Sequence, residues 1–276
     1  MNTRNAVVEG RFYPASKQEI FRQIREIENA ERYPVPDLKP EVIFGAVLPH
    51  AGHVYSGYQT VPFFQLVQRA GHCPETFVIV HPNHSGYGGS VAIDNSDSWT
   101  NSIGPVPVDR DFAKAMNLPY DGQAHAREHS AEVIIPYMQY YLPEHSFSIV
   151  PVCMKDQSHS RAVTVAQRIL QAKEETGKSI MLLASSDFSH YLSPGDGKAR
   201  DQHVVDEIHS RNSEGVERAV QQVHASVCGY GPIMALMNYS GSLDRYYKVK
   251  ILARGHSGEV IPSREVVDYI SMIMYR

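Results

Sequence analysis

An unbroken apolar run, Val42-Ile43-Phe44-Gly45-Ala46-Val47-Leu48, stops at Pro49 and passes straight into His50-Ala51-Gly52-His53. Apolar residues without polar alternation, several of them β-branched, suit a strand covered on both faces, as in a parallel or mixed sheet between helices. Pro49 has no N–H to offer a neighbouring strand, so the strand predicted here ends before it. His50 then stands just past the carboxyl end of a buried strand, where open α/β sheets bind their ligands. Gly52 lets the loop turn tightly beside it.

The remaining chain alternates in the same way. Residues 1–40 read as an N-terminal arm packed on the domain that follows. It contains a helix over 16–28, with Ser16 as N-cap and Glu19 three residues on, and Pro34-Val35-Pro36 leads out of it into the first strand. Apolar positions Val61, Phe64, Leu66 and Val67 predict a helix over 61–70, and Phe77-Val78-Ile79-Val80 a second strand. This strand too empties into a histidine–proline loop, His81-Pro82-Asn83-His84, ahead of Gly86-Tyr87-Gly88-Gly89. Short strands follow within 90–103, then a turn at Gly104-Pro105 and a helix over 109–116. Pro136 is expected to kink or shorten any helix around Val133 to Tyr137. Strands at 147–152 and 180–184 flank a helix over 158–174, and the second of them runs into Ser185-Ser186-Asp187-Phe188-Ser189-His190. Helices over 197–211, 214–223 and 233–239 and strands at 248–253 and 266–274 complete the chain. Strand and helix in alternation predict a single α/β domain over 1–276, with a mainly parallel or mixed sheet flanked by helices.

Composition narrows what such a domain does. With 26 basic against 30 acidic residues and a net charge of -4, the chain has no basic stripe for phosphate backbones, which argues against nucleic acid as a partner. No apolar h-region opens the sequence and no segment has the apolar length to span a bilayer, so it reads as cytoplasmic, with no membrane partner. Three cysteines, Cys73, Cys153 and Cys228, with no CxxC pair, make neither a disulfide framework nor a structural zinc site. Histidine, at 14 residues, is abundant, and several histidines fall at predicted strand ends.

His50, His84, Asp187, His190 and Cys228 are the candidates for chemistry, each at a strand end or a glycine-flanked turn. Two imidazoles with one thiolate or carboxylate make a mononuclear metal site with open positions. Two histidines and a carboxylate hold non-haem Fe(II), and histidine–cysteine sets also hold zinc or copper. Asp187 and His190 are three residues apart, so one can bind while the other orients it or moves protons. Plainer roles compete. His50 and His84, taken singly, suit loop or capping residues. Cys228 suits a small buried hydrophobe, Asp187 a helix cap and His190 a satisfied loop residue. His53, His81, His125, His129, His145 and His159 read first as structural or surface residues. A shared site gains weight from placing His50 and His84 on adjacent strands. The Gly86–Gly89 run lacks the spacing of a phosphate loop.

Taken in order, Pro49-His50-Ala51-Gly52 with Tyr55-Ser56-Gly57, Pro82-Asn83-His84, Glu128-His129-Ser130, Ser185-Ser186-Asp187-Phe188-Ser189-His190, and Cys228-Gly229 with Pro232-Ile233 resemble the Memo-like family. This family is also described as the B component of the AmmeMemoRadiSam system and is similar in fold to class III extradiol dioxygenases. The resemblance covers nearly the whole chain. It implies His50, His84 and Cys228 as a metal-binding trio, Asp187 and His190 in the same pocket, and His129 and His190 as candidates for handling substrate protons. The dioxygenases carry a glutamate where Cys228 stands, and a soft thiolate favours copper, zinc or a more oxidisable iron site. His53 replaces an expected aromatic residue and His81 an expected glycine, each a position from which a ligand could be added or the pocket tuned. The leading expectation is a non-haem, dioxygenase-like oxidoreductase acting on a small substrate, with a divalent metal, iron first and copper or zinc next. The alternatives are a non-catalytic protein recognising an anionic or phosphorylated peptide with the same pocket, and a metal-dependent hydrolase.

Overall fold

The computed structural model describes residues 2–71, 73–143 and 146–276. In chain order the elements are β1 (Thr3–Asn5), α1 (Lys17–Asn29), β2 (Ile43–Leu48), α2 (His53–Ala70), β3 (Thr76–Pro82), β4 (Val91–Ile93), β5 (Ser98–Asn101), β6 (Gly104–Pro107) and α3 (Arg110–Ala115). There follow α4 (Ile135–Tyr141), β7 (Ser148–Met154), α5 (His159–Thr176), β8 (Ile180–Ser185), β9 (His190–Leu192), α6 (Pro194–His209), α7 (Ser213–Gln222), α8 (Tyr230–Leu243), β10 (Lys248–His256) and β11 (Val266–Tyr275). The main sheet runs β10-β11-β2-β8-β3-β7-β4, with β9 pairing the start of β11. Its centre, β2, β8, β3 and β7, is parallel, while β11 joins β2 and β4 joins β7 antiparallel, so the sheet is mixed. A small sheet, β1-β5-β6, takes in the first residues of the arm.

Strand alternation sends side chains into two cores. Val47, Val78, Val80 and Leu182 pack with Ile169 of α5 and Leu236 of α8. Ala46, Leu48, Phe77, Ile79 and Leu183 pack on the other face with Phe63 and Phe64 of α2 and Tyr137 of α4. Burial on both faces is why these strands read as continuous apolar runs. A Cβ on Gly45 would collide with the Leu182 carbonyl, so glycine sets the approach of β2 to β8. In α1, Ser16 Oγ accepts from the Glu19 N–H at 3.3 Å and donates to its carboxylate at 2.9 Å. This is the expected capping pair, and it starts a helix that buries Ile20, Ile24 and Ile27.

The structure departs from the sequence reading at five places. β8 lies between β2 and β3, so His50 and His84 are not on adjacent strands. His81 belongs to β3 itself, not to a loop after it. α2 starts at His53, two turns before the expected helix: Ser56, Gln59 and Thr60 are buried in it, which hides any amphipathic stripe. Pro136 lies in the first turn of α4, where its missing N–H costs nothing, so it starts that helix and does not kink it. Gly104-Pro105 opens β6 where a turn was expected. His145 lies outside the described residues. No helix among the described residues is long and apolar enough to cross a membrane.

Candidate functional site

Parallel β2, β8 and β3 end at the same edge of the sheet, and each delivers a polar loop there. His50 follows β2, Asp187 follows β8, and His84 follows β3. Cys228 arrives from the other side, one residue before Gly229, the N-cap of α8. Two hydrogen bonds zip its segment to the β8 loop: Asp187 N–H donates to Cys228 Sγ at 3.2 Å, and Cys228 N–H to the Asp187 carbonyl at 3.3 Å. Gly229 N–H adds a bond to Ser186 Oγ, and a Cβ on Gly229 would collide with the Ser185 carbonyl. Gln157 clamps the far side, donating to the Cys228 carbonyl at 2.7 Å and accepting from Gly231 N–H at 2.9 Å.

His50, His84 and Cys228 place one potential ligand atom each within 4.8 Å of one another, and Cys228 Sγ lies 3.2 Å from His50 Nε2. Two ligands each about 2.0–2.3 Å from a shared ion stand roughly 3–4 Å apart, so the trio fits one metal. The outer nitrogens of both rings are committed. His50 Nδ1 and the Ser130 carbonyl each lie 2.7 Å from Ser185 Oγ. The carbonyl can only accept, so the hydroxyl proton goes to it and His50 Nδ1–H donates to Ser185. The lone pair of His50 is thereby fixed at Nε2, facing Cys228. His84 Nδ1 lies 2.9 Å from Glu128 Oε1 and donates to it, which leaves Nε2 free. A ring held at one nitrogen by an acceptor and bare at the other is the usual form of a metal-ligating histidine.

His84, Glu128 and His129 make a second group with ligand atoms in reach of one another. Glu128, however, already accepts from His84 Nδ1, from the backbone N–H groups of His84, His129 and Ser130, and contacts Ser130 Oγ at 2.8 Å. Four of these contacts converge on Oε1 and the fifth is on Oε2, so the carboxylate is engaged in orienting His84. Burial works against its charge, but the imidazole bond and the neighbouring histidines hold its carboxyl well below the usual range. For His50, burial and then the His84 and His129 charges push the imidazole well down, leaving it neutral as a ligand must be. Burial and Asp187 push the Cys228 thiol well up, so a thiolate there requires a cation beside it.

The other candidate residues sort by contact. Asp187 is buried, accepts from His50 N–H at 2.8 Å, and keeps its second oxygen 4.0 Å from His50 Nε2. Burial raises it to about 6. His190 has its Nδ1 2.9 Å from the Ser226 carbonyl, to which it donates, so its Nε2 carries the lone pair. His129 packs on His84, with ring centroids 4.9 Å apart, and under Phe12 at 4.7 Å; burial pushes it down to about 4. His53 donates from Nε2 to the Val133 carbonyl between Tyr13 and Tyr137, and is not a ligand. His81 contacts His125 and Ser130 and belongs to neither ligand group. Both departures from the expected family residues therefore act away from the trio's ligand atoms. His159 holds Ser213 elsewhere on the molecule, and Cys73 and Cys153 are free thiols outside the site.

Sequence reasoning missed the holders: Ser185, Gln157 and the orienting part of Glu128. It also missed Glu132, which binds Arg4, the N–H groups of Val7 and Val8, and Tyr13 Oη, and so ties down the arm that carries Phe12. The Glu128-His129-Ser130 run was the one signal available.

A family model described as Memo-like protein matches residues 4–273. A MEMO1 family protein of Archaeoglobus fulgidus is 38% identical over 274 residues, covering 98% of each chain. One of Pyrobaculum aerophilum is 33% identical over 286 residues, covering 100% of each. The crystal structure of an uncharacterized protein from Escherichia coli K12 is similar in fold, with a TM-score of 0.56 at 12% identity over 83% of this chain and 99% of that one.

Proposed function

The chain belongs to the Memo-like family, and we propose that it holds one divalent metal ion on His50, His84 and Cys228 and uses it to oxidise a small substrate. The observation that carries this reading is the tautomer lock: Ser185 and Glu128 turn the lone pairs of two imidazoles inward beside a cysteine sulfur. A mixed nitrogen–sulfur set suits copper, zinc or an oxidisable iron; of these, iron and copper are redox-capable and zinc is the redox-inert competitor. Bound there, such an ion supplies electron transfer and polarises what it binds. The protein supplies the rest. His190 accepts a proton at Nε2, its Nδ1 being committed to Ser226. His129, held neutral by burial, is a second base next to His84. Asp187 fixes the His50 backbone, and Phe12 covers His129.

Elemental analysis of protein purified without oxygen or affinity-tag metals tests the proposal, with Cys228→Ala and His84→Ala alongside. Stoichiometric iron or copper in the wild type, lost in both variants, is the expected outcome. A wild type with no metal, and none taken up on titration, overturns it. Oxygen consumption by the loaded protein separates oxidation from zinc-dependent hydrolysis, for which the same histidines would serve.

A further inference from the structure

Cys228 stands at the entrance to a helix that is capped from outside its own element. The N-cap of α8 is Gly229, which has no side chain to satisfy the first N–H groups of the helix. Two side chains from other segments do so instead. Ser186 Oγ, in the β8 loop, accepts from Gly229 N–H at 3.0 Å, and Gln157 Oε1, between β7 and α5, accepts from Gly231 N–H at 2.9 Å. Pro232 brings no N–H, and Ile233 N–H opens the helical ladder by donating to the Gly229 carbonyl at 3.0 Å.

Gln157 does more than cap. Its amide nitrogen donates to the Cys228 carbonyl at 2.7 Å. A carbonyl only accepts and an N–H only donates, so the amide has one orientation, and neither a carboxylate nor a hydrocarbon of the same length makes both bonds. A Cβ on Gly231 would stand 2.8 Å from Gln157 Cβ, so glycine there lets the side chain lie against the helix end. The peptide unit between Cys228 and Gly229 is thereby held at both edges, by Gln157 at the carbonyl and by Ser186 at the N–H. The N–H of Cys228 itself reaches the Asp187 carbonyl over a longer 3.3 Å. These ties set the direction of the Cys228 Cα–Cβ bond, and with it the place of Sγ, 3.2 Å from His50 Nε2.

The loop that carries Gln157 is fastened on its other side to the glycine-rich loop beyond His84. The N–H groups of Lys155 and Asp156 both donate to the Ser90 carbonyl at 2.9 Å, and Lys155 Nζ donates to the Gly86 carbonyl at 2.7 Å. β7 supplies no member of the trio, yet the three residues after it join the segment that follows His84 to the segment that holds Cys228. The two Gln157 bonds are half-buried, so water can replace a lost partner there. Removing Gln157 therefore loosens the Cys228 segment without sealing in an unpaired group.

We propose that Gln157 is a positioning residue for Cys228, and that it decides whether an ion held by His50 and His84 also receives the sulfur. The second half rests on the metal reading above, whereas the first holds for the metal-free chain as well. With Gln157 in place the thiol is already aimed, and an ion meets three ligands without first ordering a segment. Without it the two imidazoles keep their own supports, Ser185 and Glu128, and the sulfur becomes the loose member.

Cobalt(II) added to metal-free, full-chain protein tests this, because sulfur bound to cobalt gives a near-ultraviolet charge-transfer band that imidazole ligands do not. The band is expected in the wild type and absent in Cys228→Ala. Gln157→Ala and Gln157→Glu are expected to bind cobalt about 10–100-fold more weakly and, when saturated, to show a band well below wild-type strength. Gln157→Glu is the sharper variant: it keeps the length and the acceptor for Gly231 N–H, and sets a second oxygen against the Cys228 carbonyl. A full band in both saturated variants, with only Tm lowered, overturns the role in ligation. The metal-free half is read with iodoacetamide, following alkylation of Cys228 by peptide mass spectrometry, with Cys73, ahead of β3 at the opposite end of the sheet, as internal reference. In Gln157→Ala, Cys228 is expected to react about tenfold faster than in the wild type, the effect of two lost hydrogen bonds on a local opening. An unchanged rate overturns the placement. A wild type that takes up no cobalt removes the metal reading, and the alkylation rates still decide the placement of the sulfur.

Discussion

His50 and His84 reach the site with opposite kinds of support. His50 is buried and leans on a neutral hydroxyl that passes its hydrogen bond on to a carbonyl. His84 is partly exposed and leans on a charged carboxylate. The carboxylate is the stronger anchor, because a charge-assisted bond both fixes the ring and raises its basicity. Glu128→Gln keeps the shape but puts an amide NH2 where both oxygens now accept N–H bonds, so one donor must face another. Metal affinity measured by chelator competition is expected to fall about 10–100-fold. Urea unfolding of the metal-free variant should show a loss of about 1–3 kcal/mol. Unchanged affinity would remove His84 from the ligand set. Ser185→Ala, which leaves His50 Nδ1 without its acceptor, should weaken binding less.

The elements around the site explain which parts were legible in the sequence. β2 was readable because both of its faces are apolar, and His50 follows it directly. β3 was cut short at Val80 because His81-Pro82 resembles a loop. In fact β8 leaves β3 at Val80 while β7 continues beside His81 and Pro82, so Pro82 loses no bond on the side where it has no partner. A pairing that ends at different places on the two sides of one strand leaves no mark in a single sequence. The β8 loop carries a similar surprise. Asp201 of α6 accepts from Ser189 N–H at 3.1 Å and Oγ at 2.6 Å, and Asp268 of β11 pairs its backbone with Phe188 and Ser189. Oδ2 of each carboxyl is buried without a donor, and the missing Cβ of Gly197 makes room for that of Asp268. The two must share a proton. Burial and Asp201 hold Asp268 up to about 8, and burial raises Asp201 as well; Arg254 opposes the shift and Glu259 adds to it. A carboxyl raised on folding stabilises fully below its unfolded value and loses that stability as pH rises through the folded one, here from about 4 to about 8. Asp268→Asn supplies an amide N–H in place of the shared proton at every pH. Relative to wild type, its urea midpoint is expected to be higher at pH 9 than at pH 5. An equal difference at both pH values would show that the pair does not hold the proton.

At the scale of the whole molecule, the composition of the chain identifies no ligand, while the order of its motifs identifies the family. The site lies between these, because its parts come from segments 178 residues apart that meet only when the sheet is assembled. The unfolded chain has no such convergence, so an ion that binds the trio binds the folded state almost alone, and its binding energy becomes folding energy. With free ion at a hundred times its dissociation constant, that amounts to about 2.7 kcal/mol. For a chain slightly larger than 250 residues, each kcal/mol moves Tm by roughly 2–4 °C, so saturating zinc should raise Tm by about 5–10 °C. Cys228→Ser separates this from general ion effects. The hydroxyl occupies the thiol's place without its softness, so the variant should fold at nearly the wild-type Tm without ion and lose most of the increment with it. Calorimetry with and without zinc, reversed by chelator, makes the measurement. A wild type whose Tm ignores zinc would remove the metal from the trio, and a full increment in Cys228→Ser would remove the sulfur, leaving the two held imidazoles to bind without it.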